Sequence, residues 1–233
     1  MSLDIWATFG KSIILKPKIK KARDMVNENY TAFTYFGRGH YSEKRSKWVP
    51  STTPKQTVNI AWCGQYILSV RAKYQTDELR RLMVTVEEQT EEQKRKKEQM
   101  LRDYKLREFD AVAGAGTFNY GSAQGLITRS NYIVLDIDDL SSTKEAREIQ
   151  QMLIKDQNVE TALCFLSPKG LGTKWWVELP EWCKGLPFAE QYQALSRYIG
   201  FEYGIQADLS CSNVNRLCFL PHDEFCYINP KYL

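Results

Sequence analysis

The sequence predicts an α+β fold, with a βαββαβ core over residues 106–233 preceded by an α/β extension over 1–105. Three observations carry this. Residues 76–107, TDELRRLMVTVEEQTEEQKRKKEQMLRDYKLR, are charged and free of Gly and Pro, and read as one long, exposed helix that divides the chain. Beyond it, apolar strand-like runs alternate with segments of helical periodicity. The run NYIVLDIDDL at 131–140 then sets aspartates at the mouth of a buried strand.

In the extension, QTVNIAWCGQYILSVRAKYQ (56–75) is rich in β-branched and aromatic residues and interrupted by Gly64, which predicts a hairpin about a Cys-Gly turn. Asp77 stands where the long helix needs an N-cap. In the core, the glycines of FDAVAGAGTF predict a turn and a short strand, and YIVLDID is the first core strand. SSTKEAREIQQMLIKD opens with a Ser142-x-x-Glu145 capping box and puts Ala146, Ile149, Met152 and Leu153 on one face. VETALCFLS is the second strand, PKGLG a turn, and TKWWVEL the third strand, stopped by Pro180. Phe188, Tyr192, Leu195, Ile199 and Tyr203 then recur at helical spacing up to Gly204, and RLCFLP is the fourth strand.

That order is the split βαβ arrangement of ferredoxin-like and RNA-recognition-motif-like sheets. Its first and second strands run parallel, the third returns between them, and the fourth lies antiparallel against the first. The end of strand one, the turn between strands two and three, and the loop before strand four therefore meet at one end of the sheet.

A chain of 233 residues with 43% hydrophobic content can bury a substantial core. No run approaches the roughly 18 apolar residues of a membrane span, and MSLDIWATFGKSI lacks the order of a signal peptide, so the expected location is cytoplasmic. The six cysteines form no CxxC pair, and reduced thiols are expected. A zinc site from Cys211, Cys218, Cys226 and His222 fits no short-knuckle spacing. Net charge is only +4, but KPKIKK (16–21), EKRSKW (43–48) and KRKK (94–97) cluster the cations, beside the aromatics of YTAFTYFGRGHY. Such clusters suit a polyanion, and equally describe solvated loops and a helix face.

At the predicted sheet end, a period of two puts Asp136 and Asp138 on one face with Cα atoms about 6.5–7 Å apart. Asp139 points to the other face and suits a helix cap. The turn SPKGLGTK offers Ser167, Lys169, Gly170, Gly172 and Lys174, whose backbone N–H, hydroxyl and ammonium groups match phosphate oxygens. The loop GIQADLSCSNVNRLCFLPHD brings Asp208 and Ser210, with Asn213 and Arg216 behind. Three carboxylates facing a basic turn are what two-metal phosphoryl transfer needs, and hard oxygen ligands point to Mg²⁺ or Mn²⁺.

Taken in order, GTF, NYIVLDIDDL, FLSPKGLGTKWWV and ADLSCSNVNRLCFLPHDEFCYINP resemble the VirE N-terminal primase-like domain of bacterial mobile elements, a branch of the archaeo-eukaryotic primase superfamily. The resemblance covers about residues 106–229. It implies a primase-type active site on an RNA-recognition-motif-like sheet. Asp136 and Asp138 match the superfamily's metal-binding acidic pair, and Asp208 its single metal-binding aspartate. The nucleotide-contacting motif is usually a serine followed two residues on by histidine. Here Ser167, Gly170 and Gly172 form the turn, and Lys174 stands where many relatives carry histidine, a point charge of different reach.

The function so implied is a DNA primase or primase-polymerase-like nucleotidyltransferase. It would act with divalent metal and nucleoside triphosphates on single-stranded DNA in mobile-element replication, with a helicase-like module in the same polypeptide or operon. The second reading is a non-catalytic single-stranded nucleic-acid-binding module on a degenerate primase fold, favoured by Lys174 and the basic, aromatic N-terminal segment. A haloacid-dehalogenase-type phosphatase would want threonine, not Leu140, two places after its second aspartate, and a GFGFV-type RNA-binding run has no counterpart. His222 reads as structural. Trp175 and Trp176 face opposite ways, so at least one belongs to the core.

Overall fold

The computed structural model describes residues 31–86 and 89–233, so the basic run at 16–21 lies outside the described residues. The class is α+β, as the sequence predicts. The extension contributes strands β1 (Phe33–Tyr35), β2 (His40–Ser42), β3 (Lys47–Val49) and β4 (Gln56–Val58), then helices α1 (Ile60–Leu68), α2 (Lys73–Thr85) and α3 (Glu91–Glu108). There follow β5 (Ala111–Ala113), β6 (Gly116–Phe118), β7 (Leu126–Arg129) and β8 (Tyr132–Ile137). Helix α4 (Thr143–Ile154), β9 (Thr161–Leu166), β10 (Thr173–Glu178), α5 (Phe188–Tyr203), β11 (Cys218–Phe219) and β12 (Tyr227–Ile228) complete the chain. No helix among the described residues is long and apolar enough to cross a membrane.

The central sheet runs β12-β9-β10-β8. Strand β10 lies antiparallel between β8 and β9, as the split βαβ order requires. The predicted fourth strand departs from it. RLCFLP forms β11, which pairs with β5 in a second sheet of order β11-β5-β1-β4, while the later β12 takes the far edge beside β9. Two residues of β11 offer too little ladder to dictate a partner, and burial of Cys218 and Leu220 against the second sheet decides it. That second sheet takes β1 and β4 from before residue 105 and β5 and β11 from after it.

The run YIVLDI does not alternate because both of its faces are covered. Ile133, Leu135 and Ile137 pack with Trp175, Val177 and Cys164 beneath α4 and α5. On the opposite face Trp176, Leu163 and Phe165 pack against Phe33, Val112 and Ile60 from the second sheet and α1. Trp175 and Trp176 are therefore both core, one on each face.

Two expectations in the extension are corrected. Residues 60–68 form helix α1 across the place where the hairpin's Cys-Gly turn was expected, because Asn59 Oδ1 accepts the Trp62 N–H at 2.9 Å as an N-cap. Gly64 serves close approach rather than a turn, since a Cβ there would stand 2.4 Å from Ile228 Cδ1 on β12. The single helix over 76–107 is two, α2 and α3. Thr90 and Gln93 close a complete capping box at the head of α3, and Asp77 lies inside α2, paired with Lys73 at 3.2 Å. The box at α4 is half formed: Ser142 Oγ accepts from Glu145 N, but the Glu145 carboxylate turns back to Ser141. Gly204 ends α5 with φ of 68°. All six cysteines are free and buried.

Candidate active site

The three predicted positions do meet, on the face of the central sheet turned away from α4 and α5. They border a cleft of about 780 Å³ walled by α3, the segment 50–52 and the loop 211–219. Asp136 is half-buried near the end of β8, and Lys174 lies directly opposite it on β10. The Lys174 ammonium donates to Asp136 Oδ1 and stands 3.5 Å from Asp138 Oδ1. Burial pulls Lys174 down to about 8, a tendency that the neighbouring Lys105 and Arg216 reinforce and the thiols of Cys218 and Cys211 oppose.

Asp208 arrives without the predicted fourth strand. Its backbone N–H donates to the Asp136 carbonyl at 2.8 Å, so the loop after α5 makes one rung where that strand would have lain. Tyr192, fully buried on α5, fastens the pair: its hydroxyl accepts the Asp136 N–H at 3.3 Å and donates to the Asp208 carbonyl at 2.9 Å. Cys211 Sγ lies 3.5 Å from Asp136 Oδ2 and 3.2 Å from Asp208 Oδ2. Asp136, Asp208 and Cys211 thus present ligand atoms within 4.8 Å of one another. Burial lifts the Cys211 thiol to about 11, which keeps it protonated and a donor to the two carboxylates. At Asp208 burial also pushes upward, but hydrogen bonds from Ser210 and Cys211 and the charge of Arg216 prevail and hold the carboxyl below its usual range.

Asp138 is differently placed. Crowding by the cleft walls raises its carboxyl, opposed by Lys105 and Lys169 and assisted by Asp139 and Asp208. Three carboxylates facing one point were expected. The structure instead gathers Asp136 and Asp208 about Cys211 and turns Asp138 toward the lysines. Asp139 lines the cleft in a left-handed conformation with φ of 59°, and the helix cap is Ser142.

The turn 167–174 divides its labour. Ser167 and Lys169 line the cleft. Ser167 N–H donates to the Gly172 carbonyl, and the Ser167 carbonyl accepts from Gly170 N–H, each at 2.8 Å. Gly170 takes a φ of 75° that closes the turn. Gly172 admits Asp138: a Cβ there would lie 2.5 Å from Asp138 Oδ1 and 2.6 Å from the Ile137 carbonyl oxygen. Lys174, expected to reach a triphosphate, is committed to the acids. Arg216, half exposed, holds its guanidinium 3.9 Å from Asp208 Oδ2.

Sequence reasoning missed several residues. Lys105 and Arg102 project from α3 into the cleft, where burial and the nearby Lys169 pull Lys105 down. In sequence they are indistinguishable from the solvated cations of that helix. Arg80 on α2 donates to the Pro168 carbonyl at 3.3 Å and so props the turn from behind. Cys211, weighed in the sequence only as a zinc ligand beside Cys218, Cys226 and His222, stands with Asp136 and Asp208 instead. His222 is structural, its Nδ1 lying 2.9 Å from the Ser69 carbonyl oxygen.

Against known families, the family model described as BT4734-like, N-terminal domain, matches residues 105–228, just over half of the 233-residue chain. No curated protein and no solved structure matches.

Proposed function

The chain belongs to the BT4734-like N-terminal domain family, and from its cleft we propose a metal-dependent nucleotidyltransferase of primase-polymerase type that acts on single-stranded DNA. One observation carries this reading. Two carboxylates from separate segments converge beneath a basic, glycine-shaped turn, in a cleft large enough for a nucleotide. The resemblance to VirE primase-like domains supports the same reaction class, in mobile-element replication within the cytoplasm beside a helicase-like module.

The residues suit one divalent ion better than two. Asp136 Oδ2 and Asp208 Oδ2 face each other across Cys211 and would hold Mg²⁺ or Mn²⁺. Asp136 Oδ1 belongs to Lys174, whose ammonium is a fixed cation in the slot between Asp136 and Asp138. The ion, when bound, supplies Lewis-acid stabilisation of phosphoryl oxygens and makes the attacking hydroxyl more acidic. Lys169 and Lys105 are placed to receive triphosphate oxygens, and Arg216 steadies Asp208. Tyr192 keeps the two acid-bearing backbones in register.

Lys174 also favours the second reading, a binding module without catalysis, because its ammonium neutralises the acidic pair with no metal required. Primer synthesis on single-stranded DNA with nucleoside triphosphates and Mg²⁺ or Mn²⁺ separates the two. Wild type is expected to make product, and Asp136→Ala and Asp208→Ala to lose it. No product, together with undiminished DNA binding by an Asp136→Ala/Asp138→Ala double variant, establishes the binding module instead.

A further inference from the structure

The hairpin β2–β3 is used by nothing in the cleft chemistry, yet it carries an unusual set of groups. Tyr41 and Trp48 face each other across its ladder, with ring centroids 6.1 Å apart at 70°. Tyr41 is 51% exposed, and the Arg107 guanidinium of α3 sits 6.0 Å from the Trp48 ring centre. The connecting turn and the start of β3 carry Lys44, Arg45 and Lys47, all exposed and without an ion-pair partner among the described residues. Glu43 is the hairpin's single acid.

The hairpin's base is also tied to the wall of the cleft. Gly39 N–H donates to the Leu106 carbonyl at 2.7 Å, one residue past Lys105. A Cβ at Gly39 would stand 2.4 Å from the Val49 carbonyl oxygen and 2.9 Å from that of Leu106, so only glycine permits the contact. Immediately after β3, Pro50, Ser51 and Thr52 line the cleft, and Thr52 is tied to Gly121 N–H at 2.8 Å. Aromatic faces and unpaired cations on the hairpin thus lead along 50–52 and α3 to Lys105 and the acids.

We infer that the β2–β3 hairpin is a landing surface for single-stranded DNA that directs the strand into the cleft. Cations suit the phosphates, and the Tyr41–Trp48 pair offers stacking faces that only unpaired bases can use. An acidic peptide would engage the cations and leave the rings idle. A cross-strand aromatic pair that merely braced its own strands would need no cations at the tip. The destination of the strand rests on the function proposed above; binding at the hairpin does not.

The test uses the full chain and a fluorescein-labelled oligodeoxythymidylate, with affinity read by anisotropy over a salt series. Lys44→Glu/Arg45→Glu/Lys47→Glu is expected to weaken binding at least about tenfold and to lower the salt slope by about 2, from three lost cations on a single strand. Tyr41→Ala/Trp48→Ala is expected to weaken binding about five- to a hundredfold with the slope unchanged, as lost stacking requires. In both, stabilisation by Mn²⁺ and nucleotide stays at the wild-type value. A charge-reversed variant that binds as wild type, wild type that does not bind, or polyglutamate competing as well as the oligonucleotide overturns the surface. If primer synthesis fails while the hairpin variants still lose the strand, the surface stands and the catalytic reading falls.

Discussion

Lys174 faces Asp136 across the β8–β10 ladder and gives its ammonium to that carboxylate, with Asp138 Oδ1 3.5 Å away. Two like charges at the end of a strand are tolerated because a cation built into the next strand lies between them. The Lys174 side chain is only 10% exposed, so it acts as part of the site's framework rather than as a free arm. The same pairing leaves Asp136 Oδ2 and Asp208 as the ligands open to an ion from solution.

Replacing that cation by Lys174→Met should destabilise the metal-free protein by about 3–5 kcal/mol, the usual consequence of stripping a buried pair of one partner. Mn²⁺ should restore much of the loss, giving a larger metal-dependent melting shift than in wild type. Melts in chelator and in Mn²⁺ check this, and a shift no larger than wild type contradicts a cation-filled slot.

Gly172→Ala should strain the turn, since the new methyl meets the Ile137 carbonyl oxygen and Asp138 Oδ1 inside contact distance. A cost of about 1–3 kcal/mol is expected in urea denaturation, with weaker nucleotide binding because Lys169 moves with the turn.

The expectations that held, and those that failed, have separable physical causes. Strands β8, β9 and β10 and helices α4 and α5 are legible because each is six or more residues long, with periodic or continuous apolar character and a marked end such as Pro180 or Gly204. The meeting of acids and turn followed from that topology, whereas the loop bearing Asp208 reaches them by its own rung to Asp136 and not through the fourth strand that was to place it. Helix α1 differs from the expected hairpin because seven apolar and aromatic residues among its nine fit either element, and the deciding signals are Asn59 as a cap and a Gly64 pressed against Ile228. Thr90-x-x-Gln93 marked the break between α2 and α3 but was hidden within a charged run. Strand β11 chose its sheet by tertiary burial, and Lys105 became a cleft residue only through the packing of α3; no local pattern encodes either.

Lys105→Gln should raise the dissociation constant for a nucleoside triphosphate about five- to twentyfold while leaving stability within about 0.5 kcal/mol, because it removes a charge from a half-buried position crowded by other cations without opening a cavity. Titration calorimetry with a non-hydrolysable triphosphate and Mn²⁺ checks it, and unchanged affinity removes α3 from the nucleotide site.

Asp223 anchors the chain after β11. Its fully buried carboxylate takes two bonds from Arg147 and the backbone N–H groups of Leu166 at 2.8 Å and Phe225 at 3.0 Å. Asp223→Ala should cost about 3–5 kcal/mol by taking the carboxylate from Arg147 and leaving two amides unpaired. Urea denaturation should show this, without change in metal affinity once the variant is folded.

The central claim, that Asp136 and Asp208 together hold a divalent ion beside a nucleotide, is tested most directly by anomalous diffraction from crystals grown with Mn²⁺ and a non-hydrolysable triphosphate. The predicted result is one manganese peak between the Asp136 and Asp208 carboxylates, with phosphate density against Lys169 and Lys105. A cleft with no manganese between those two carboxylates would contradict it.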